Sequence, residues 1–384
     1  MFVRKLCWSL LSVFVLSLAF GSLASGCLGR ELKQLNPCLV SSVNVGITVD
    51  KIDKVDLLFM VDNSSSMQEE QIALSQQFKN IITVLTTGKR AGKPDFTPAT
   101  DLHLAVVSSD LGTAWAGVTG CTPAGDDGVM QNQGRGAGCM PSYPRFLSYD
   151  AKSSVPEQTA NDFACVAMLG TGGCGFEQQL ESSLKALWPA ADGRAKFLGD
   201  GQGGMVLAHG DNDNGGFLRT DPIAGLSLLA IVLVTDEEDC SVLDPVVLVD
   251  PRELNPDVPL EARLAQQGLN TRCALNPDLL FETSRYVTGF KSLRGRPDLV
   301  IFAAIVGVPP ETVDAAALAR TDFQSEPSRE LFYKGILDHS LMESTVDDQG
   351  TPSDPHDDKI RPSCLGDASL AYPPRRIVEV ARVR

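Results

Sequence analysis

The chain has 384 residues, with 33 Lys+Arg against 48 Asp+Glu for a formal net charge of −15, and it holds 10 cysteines but only 4 histidines. Its length allows one large domain or two ordinary ones, and 43% hydrophobic residues supply ample material for a buried core, which excludes global disorder. The acidic balance argues against nucleic-acid binding, which needs a basic face for phosphates, and the few histidines argue against a His-rich metal enzyme.

In chain order, Arg4 and Lys5 precede an apolar run over residues 10–20, then the small residues Gly21, Ser22, Ala24, Ser25 and Gly26, and Cys27. This is the layout of a secretory signal, too short for a stable spanning helix. Leu-Ala-Ser-Gly-Cys resembles a bacterial lipobox, in which the cysteine becomes the lipidated first residue, although Ala24 stands where Leu is more typical. Loss of residues 1–26 removes two basic residues and no acids, taking the charge from −15 to −17. Cys7 leaves with the signal and Cys27 is the lipidation candidate. The eight others, Cys38, Cys121, Cys139, Cys165, Cys174, Cys240, Cys273 and Cys364, read as disulfides in an exported chain. Eight cysteines allow 105 pairings; nearness along the chain favours Cys121–Cys139, Cys165–Cys174 and Cys240–Cys273, leaving Cys38 with Cys364.

Residues 27–50 form an anchor linker that turns strand-like near 43–49. Residues 55–61 (VDLLFMV) are a near-continuous apolar run, as in a strand buried on both faces, and 68–85 show helical spacing. A second apolar strand covers 102–107. A Gly/Pro/Cys/Asn-rich insertion follows from 111 to about 160, with an edge strand near 145–149. A helix is expected over 176–188, a Gly/Asp-rich insertion over 190–221, a strongly apolar strand over 226–234 and a third insertion over 239–275. Then come a helix at 277–293 and a buried strand at 299–306. Residues 321–384 read as an acidic loop, with seven acids between Asp338 and Asp358, followed by a C-terminal segment that starts an amphipathic helix after Arg376. Strands alternating with helices imply an α/β fold with a largely parallel sheet, whose ligands bind beyond the carboxyl ends of the strands.

Two such loops carry unusual chemistry. Asp62-Asn63-Ser64-Ser65-Ser66-Met67 follows the first strand with one carboxylate and two hydroxyls at alternate positions, all hard oxygen donors. Thr235-Asp236-Glu237-Glu238-Asp239 follows the apolar strand 226–234, and its four adjacent acids repel one another unless solvated or bridged by a cation. Read alone, each is a capped turn or a solvated acidic turn. Together, an apolar strand ending in Asp-x-Ser-x-Ser and a later one ending in Thr-Asp resemble the von Willebrand factor A-type domain over roughly residues 55–306.

That resemblance implies a Rossmann-like, doubly wound fold with a metal-ion-dependent adhesion site, in which a partner's carboxylate fills an open position on the cation. Carried over, Asp62, Ser64, Ser66 and Asp236 match the metal site, with the serine hydroxyls ligating directly and the aspartates supplying charge directly or through water. Thr171, the one hydroxyl residue in Leu169-Gly170-Thr171-Gly172-Gly173-Cys174-Gly175, is the second-loop candidate, although the family's spacing back from Leu180 points to Cys174 instead. Glu237 stands where the family often has glycine; it or Asp239 joins the metal shell or faces solvent. The implied ion is Mg²⁺, or Mn²⁺ or Ca²⁺.

Other candidates are weaker. Asp211-Asn212-Asp213-Asn214-Gly215-Gly216 opens like a calcium loop, but Pro222 stands where the bidentate acid belongs, so Asx-turns are favoured. His103 reads as structural and His209 as isolated. The glycines of 170–175 lack the Gly-Lys-Ser/Thr of a phosphate loop, and no His-Glu-x-x-His or Gly-x-Ser-x-Gly occurs. The expectation is therefore a binding protein rather than an enzyme: an exported, lipid-anchored, disulfide-linked domain of the bacterial cell envelope, on the periplasmic face or the cell surface. It would hold a protein or other anionic ligand through a divalent cation. The alternatives are a metal-assisted hydrolase using Asp236–Asp239 and a structural envelope protein with a vestigial site.

Overall fold

The computed structural model describes residues 53–92, 95–198, 205–220, 227–366 and 370–383. The signal-like segment, Cys27, Cys38 and the strand-like stretch 43–49 lie outside the described residues. Among those described, five strands form the central sheet: β1 (Lys54–Val61), β2 (Asp101–Ser108), β3 (Leu147–Asp150), β4 (Leu228–Val234) and β5 (Val300–Ile305), in the order β3-β2-β1-β4-β5. β1 pairs in parallel with β2 and β4, and β4 in parallel with β5; only β3, on one edge, is antiparallel. The principal helices are α1 (Gln68–Thr87), α2 (Pro156–Ala167), α3 (Gln179–Leu187), α4 (Thr283–Ser292), α5 (Glu326–Leu337) and α6 (Arg375–Arg382).

Alternation along β1 distributes its side chains to two cores. Leu57, Phe59 and Val61 meet Phe78 and Ile82 of α1 and Phe163 of α2, with Phe59 and Phe78 packed edge to face at 5.1 Å between ring centroids. Leu58 and Met60 face Leu180 and Leu184 of α3, Tyr286 and Phe290 of α4, and Ile377 and Val380 of α6. Helices thus cover both faces of a mostly parallel sheet, which accounts for the continuous apolar runs of β1 and β4. This mixed α/β arrangement is compatible with a Rossmann-like fold. α1 stops at Gly88, whose φ of 70° is left-handed and whose added Cβ would lie 2.1 Å from the Phe96 carbonyl oxygen.

Several expectations shift. The helix expected from 176 begins at Gln179, because the Gln178 N–H bonds the Ser109 carbonyl (2.9 Å) rather than a helical partner. The helix expected from 277 begins at Thr283, because the intervening chain bridges at Val242–Leu280 and Phe281 N–H bonds Ser241 O (3.0 Å). The expected end of the first insertion falls within a helix, α2, whose first turn lies inside it. The C-terminal segment is not an appendage: residues 50–384 form one unit, and Ile377 and Val380 belong to its core.

Among the described residues three disulfides are present: Cys121–Cys174, Cys139–Cys165 and Cys240–Cys273. The third is the expected pair. The first two replace Cys121–Cys139 and Cys165–Cys174, because Cys139 lies against α2, which carries Cys165, while Cys121 turns back to the loop before α3. Cys364 has no disulfide among the described residues, and its expected partner Cys38 lies outside them. Three disulfides are the chemistry of an oxidising environment outside the cytoplasm. No helix among the described residues is long and apolar enough to cross a membrane.

Candidate metal centre

The carboxyl ends of β1 and β4 are side by side, and the ladder continues one step into the loops through Asp62 N–H to Val234 O (2.9 Å). Asp62 is fully buried there. Its Oδ1 accepts the Ser64 N–H (2.8 Å) and the Ser109 hydroxyl (3.3 Å), and its Oδ2 accepts the Thr235 hydroxyl (2.6 Å). The Asp62–Ser64 bond is an Asx-type turn that aims Ser64 and Ser66 along one side of the loop before the 3₁₀ turn Ser65–Met67 runs into α1. Ser64 Oγ and Ser66 Oγ lie 3.0 Å apart, and Ser66 Oγ donates to Asp236 Oδ1 at 3.3 Å across 170 residues of sequence. Asp62, Ser64, Ser66 and Asp236 are thus brought together.

Thr171 is not brought into this cluster. Its loop is fixed by Gln71, whose amide bonds both Gly170 N–H (3.0 Å) and Gly170 O (2.8 Å), and by Gly173 N–H to Asn63 O (2.9 Å). A Cβ on Gly173 would lie 2.2 Å from Asn63 Oδ1, so this close approach of the loops requires glycine. Thr171 is half-buried, and its hydroxyl makes no hydrogen bond among the described residues. Cys174, the other second-loop candidate, is committed to its disulfide. The residue of that loop that does reach the site is Glu177. It is 6% exposed and lines a cavity of about 260 Å³ together with Ser64, Ser66, Glu237, Lys359 and Tyr372. Its carboxylate accepts its own backbone N–H and forms no ion pair among the described residues. The sequence offered one signal for it: Glu177 is the sole acid between Leu169 and Leu180.

The electrostatics are lopsided. Burial pushes the Asp62 carboxyl up against the pull of its three hydroxyl and N–H donors. Burial and the neighbouring Asp62 charge push Asp236 up to about 6. Glu177 and Glu237 are pushed well above the usual range by burial and by repulsion from Asp62 and Asp236. Among the described residues no lysine or arginine forms an ion pair with any of these four, although Lys359 lines the same cavity. Elsewhere the protein does supply bases: Asp56, buried at the opposite end of β1, meets Arg219 and, at 2.5 Å, Arg294; Glu181 meets Arg285 at 2.9 Å; Asp239 meets Arg376 at 3.0 Å.

A divalent cation fits this donor set, since hydroxyls and carboxylates are hard oxygen ligands and none of these four carboxylates is held in an ion pair among the described residues. Glu70 adds to the same imbalance: one of its carboxylate oxygens is buried without a partner, and its charge also raises Asp236. Among the described residues no three His, Cys, Asp or Glu side chains form a ready metal cluster; the donors here are mixed with serines. The remaining acids of the loop meet Arg376, although Glu238 also lines the cavity. Asp239 caps the start of α3 through Leu180 N–H (2.9 Å), and Glu238, pushed up to about 8 by burial against the pull of Arg376, accepts the Arg376 N–H at 3.2 Å.

The weaker candidates resolve as structural. In 211–216, Asp211 accepts the Ala190 N–H, Asp213 meets His209 Nδ1 (2.9 Å), and Asn214 bonds Met130 N–H, Gly128 O and Ala186 O. His209 is therefore not isolated; its Nε2 also meets Asp127 (2.9 Å), which pairs with the buried Lys185. His103 Nδ1 meets the Phe217 carbonyl at 2.6 Å. Compared with protein-family models the chain matches none, and no curated protein matches it significantly.

Proposed function

We propose that this chain is a von Willebrand A-type domain that binds a protein or other anionic ligand through a divalent cation held by Asp62, Ser64, Ser66 and Asp236. The observation that carries this reading is the meeting of Ser66 and Asp236 at the carboxyl end of the parallel sheet, above a fully buried Asp62. The chemistry is recognition without turnover. The cation, when bound, supplies a positive centre for an incoming carboxylate. Asp62 orients the serine loop through Ser64 N–H and ties it to the other loop through Thr235. The walls of the cavity come from the insertion that holds Cys240 and Cys273 and from the C-terminal segment. Tyr372 N–H of that segment bonds Asp236 O (2.8 Å). Loops of this kind on a rigid scaffold set specificity. The signal-like N-terminus and Cys27 place the domain, in this reading, on a lipid anchor in the bacterial cell envelope.

The test is thermal unfolding of the oxidised protein with EDTA and with Mg²⁺, Mn²⁺ or Ca²⁺. A cation raises the melting temperature of the wild type, by about 2.7 kcal/mol of stabilisation at a hundredfold excess over Kd, and Asp62→Ala abolishes the rise. An equal response in the variant refutes the assignment.

A further inference from the structure

We propose that the outer edge of β5 takes an extended acidic peptide from a partner protein as an additional strand of the central sheet.

β5 (VIFAAI) ends the sheet on the side opposite β3, and among the described residues it pairs only with β4. The Ile305 carbonyl accepts the Thr235 N–H, just past β4, at 3.2 Å. In a parallel ladder one residue directs both backbone groups to the same neighbour and the next directs both away. Ile301, Ala303 and Ile305 therefore face β4, while Phe302 and Ala304 turn their N–H and C=O outward. Among the described residues those outward groups make no hydrogen bond. The strand also lacks the usual protections of an open edge, since no charge, proline or bulge interrupts it. A strand with neighbours on both sides is buried, as β1 is, yet Ala303 is exposed and Ile305 is 51% exposed.

The groove beside this edge defines the strand that fits. It has a volume of about 470 Å³ and is lined by Val287 and Phe290 of α4, Val300 and Phe302 of β5, and Val380 of α6. Phe290 and Phe302 are stacked there at 5.7 Å between ring centroids. A peptide that hydrogen-bonds β5 lays every second side chain over this apolar floor. The charged rim is basic. Lys291 and Arg329 line the groove and form no ion pair among the described residues; Arg329 donates only to the Phe323 carbonyl (2.8 Å). The one acid of the lining, Asp298, is already paired with Arg296. In a chain of net charge −15 this is a local reversal of sign, and it selects carboxylates on the incoming strand. A second copy of this chain fits less well, because two-fold pairing sets the basic rim against itself.

Panning a random-peptide phage library on the oxidised full chain tests this, with hydrogen exchange at the Phe302 and Ala304 amides as the local readout. Enriched peptides should combine alternating apolar residues with Asp or Glu, and should slow exchange at both amides. Ala304→Pro removes one outward N–H and spares the ladder to β4, since an open edge tolerates proline. It should weaken those peptides about tenfold or more. Lys291→Glu combined with Arg329→Glu should turn the enriched set from acidic to basic. Should Ala304→Pro fail to fold, the charge reversal and the exchange data decide. No enriched peptide, an enriched set without acids, or equal binding to a folded Ala304→Pro overturns the proposal. Protection of both amides in the protein alone also overturns it. Protection independent of concentration means that the chain covers its own edge, and protection that grows with concentration means that a second copy does.

Discussion

Without a cation, the acid cluster should make the protein less stable as pH rises, the reverse of ordinary acid denaturation. Asp236 is the group that gives a magnitude. Its carboxyl is pushed from the usual 3.8 up to about 6, first by burial and then by the Asp62 charge. Between those values the folded chain holds a proton that the unfolded chain has released. Proton uptake thus favours the folded state, and stability falls as pH rises through the window. At pH 7 the loss from this group alone is about 3 kcal/mol, or about 5 °C in melting temperature for a domain of this size. Glu177 and Glu237 shift in the same direction and steepen the slope.

A bound cation reverses the trend, because it requires the ionised carboxylates and so binds more tightly as pH rises. Unfolding of the oxidised protein should be followed from pH 4 to 7 in EDTA and in saturating Ca²⁺. The two curves should meet near pH 4 and separate steadily above it. Asp236→Asn should flatten the EDTA curve and be the more stable protein at pH 7 without metal. Parallel curves, or an Asp236→Asn profile identical to the wild type, would refute the reasoning.

Three further outcomes are expected. Asp127→Asn leaves the buried Lys185 ammonium without its ion pair and should cost about 2 kcal/mol in urea unfolding, below the full buried-pair loss because Asp127 is about one-third exposed; Asp127→Asn with Lys185→Met should recover most of it. His209 titrates high because the hydrogen bonds and charges of Asp127 and Asp213 outweigh burial, while Asp127 titrates low because His209 and Lys185 outweigh its own burial. Their joint contribution should be present between the unfolded values near 3.8 and 6.5. It should fade on the alkaline side as pH rises through the His209 value, and on the acid side as pH falls through the Asp127 value; an NMR titration placing His209 below 6.5 would contradict this. Replacing Cys121 and Cys174 with serine should cost about 4 kcal/mol from the 53-residue separation. Peptide mapping of the unreduced protein should return Cys121–Cys174 and Cys139–Cys165.

The frame of the fold was legible because its signals are local. VDLLFMV and LLAIVLV read as doubly buried strands, and Gln68 onward as an amphipathic helix, since each is decided by the burial of its own stripe. Ser64, Ser66 and Asp236 were legible because they directly follow such strands. Thr171 was weighed by residue type alone, whereas the path of its loop is set by Gly170 on Gln71 and Gly173 on Asn63, and the cavity is reached from that loop by Gly175, Phe176 and Glu177. The disulfides failed for a related reason. Separation along the chain favours Cys121–Cys139, but loop closure becomes only slightly more costly with length, so the packing of α2 and of the loop before α3 decides the partners.

The two ends of β1 show what the unpaired acids at its carboxyl end imply. Asp56 lies within β1 and Asp62 directly follows it, six residues on, and both are fully buried. Asp56 is neutralised by Arg219 and Arg294, as a purely structural carboxylate should be. Asp62 instead meets hydroxyls and an N–H, and its neighbours Asp236, Glu177 and Glu237 form no ion pair among the described residues. Bases are close by: Arg376, held against Asp239 and the Phe281 carbonyl, belongs to the same C-terminal segment whose Tyr372 N–H bonds Asp236 O. Negative charge therefore collects on the side of the loop that faces the cavity and is cancelled on the side that faces the helices. Such a division destabilises the metal-free fold, the usual cost of holding a binding site in readiness.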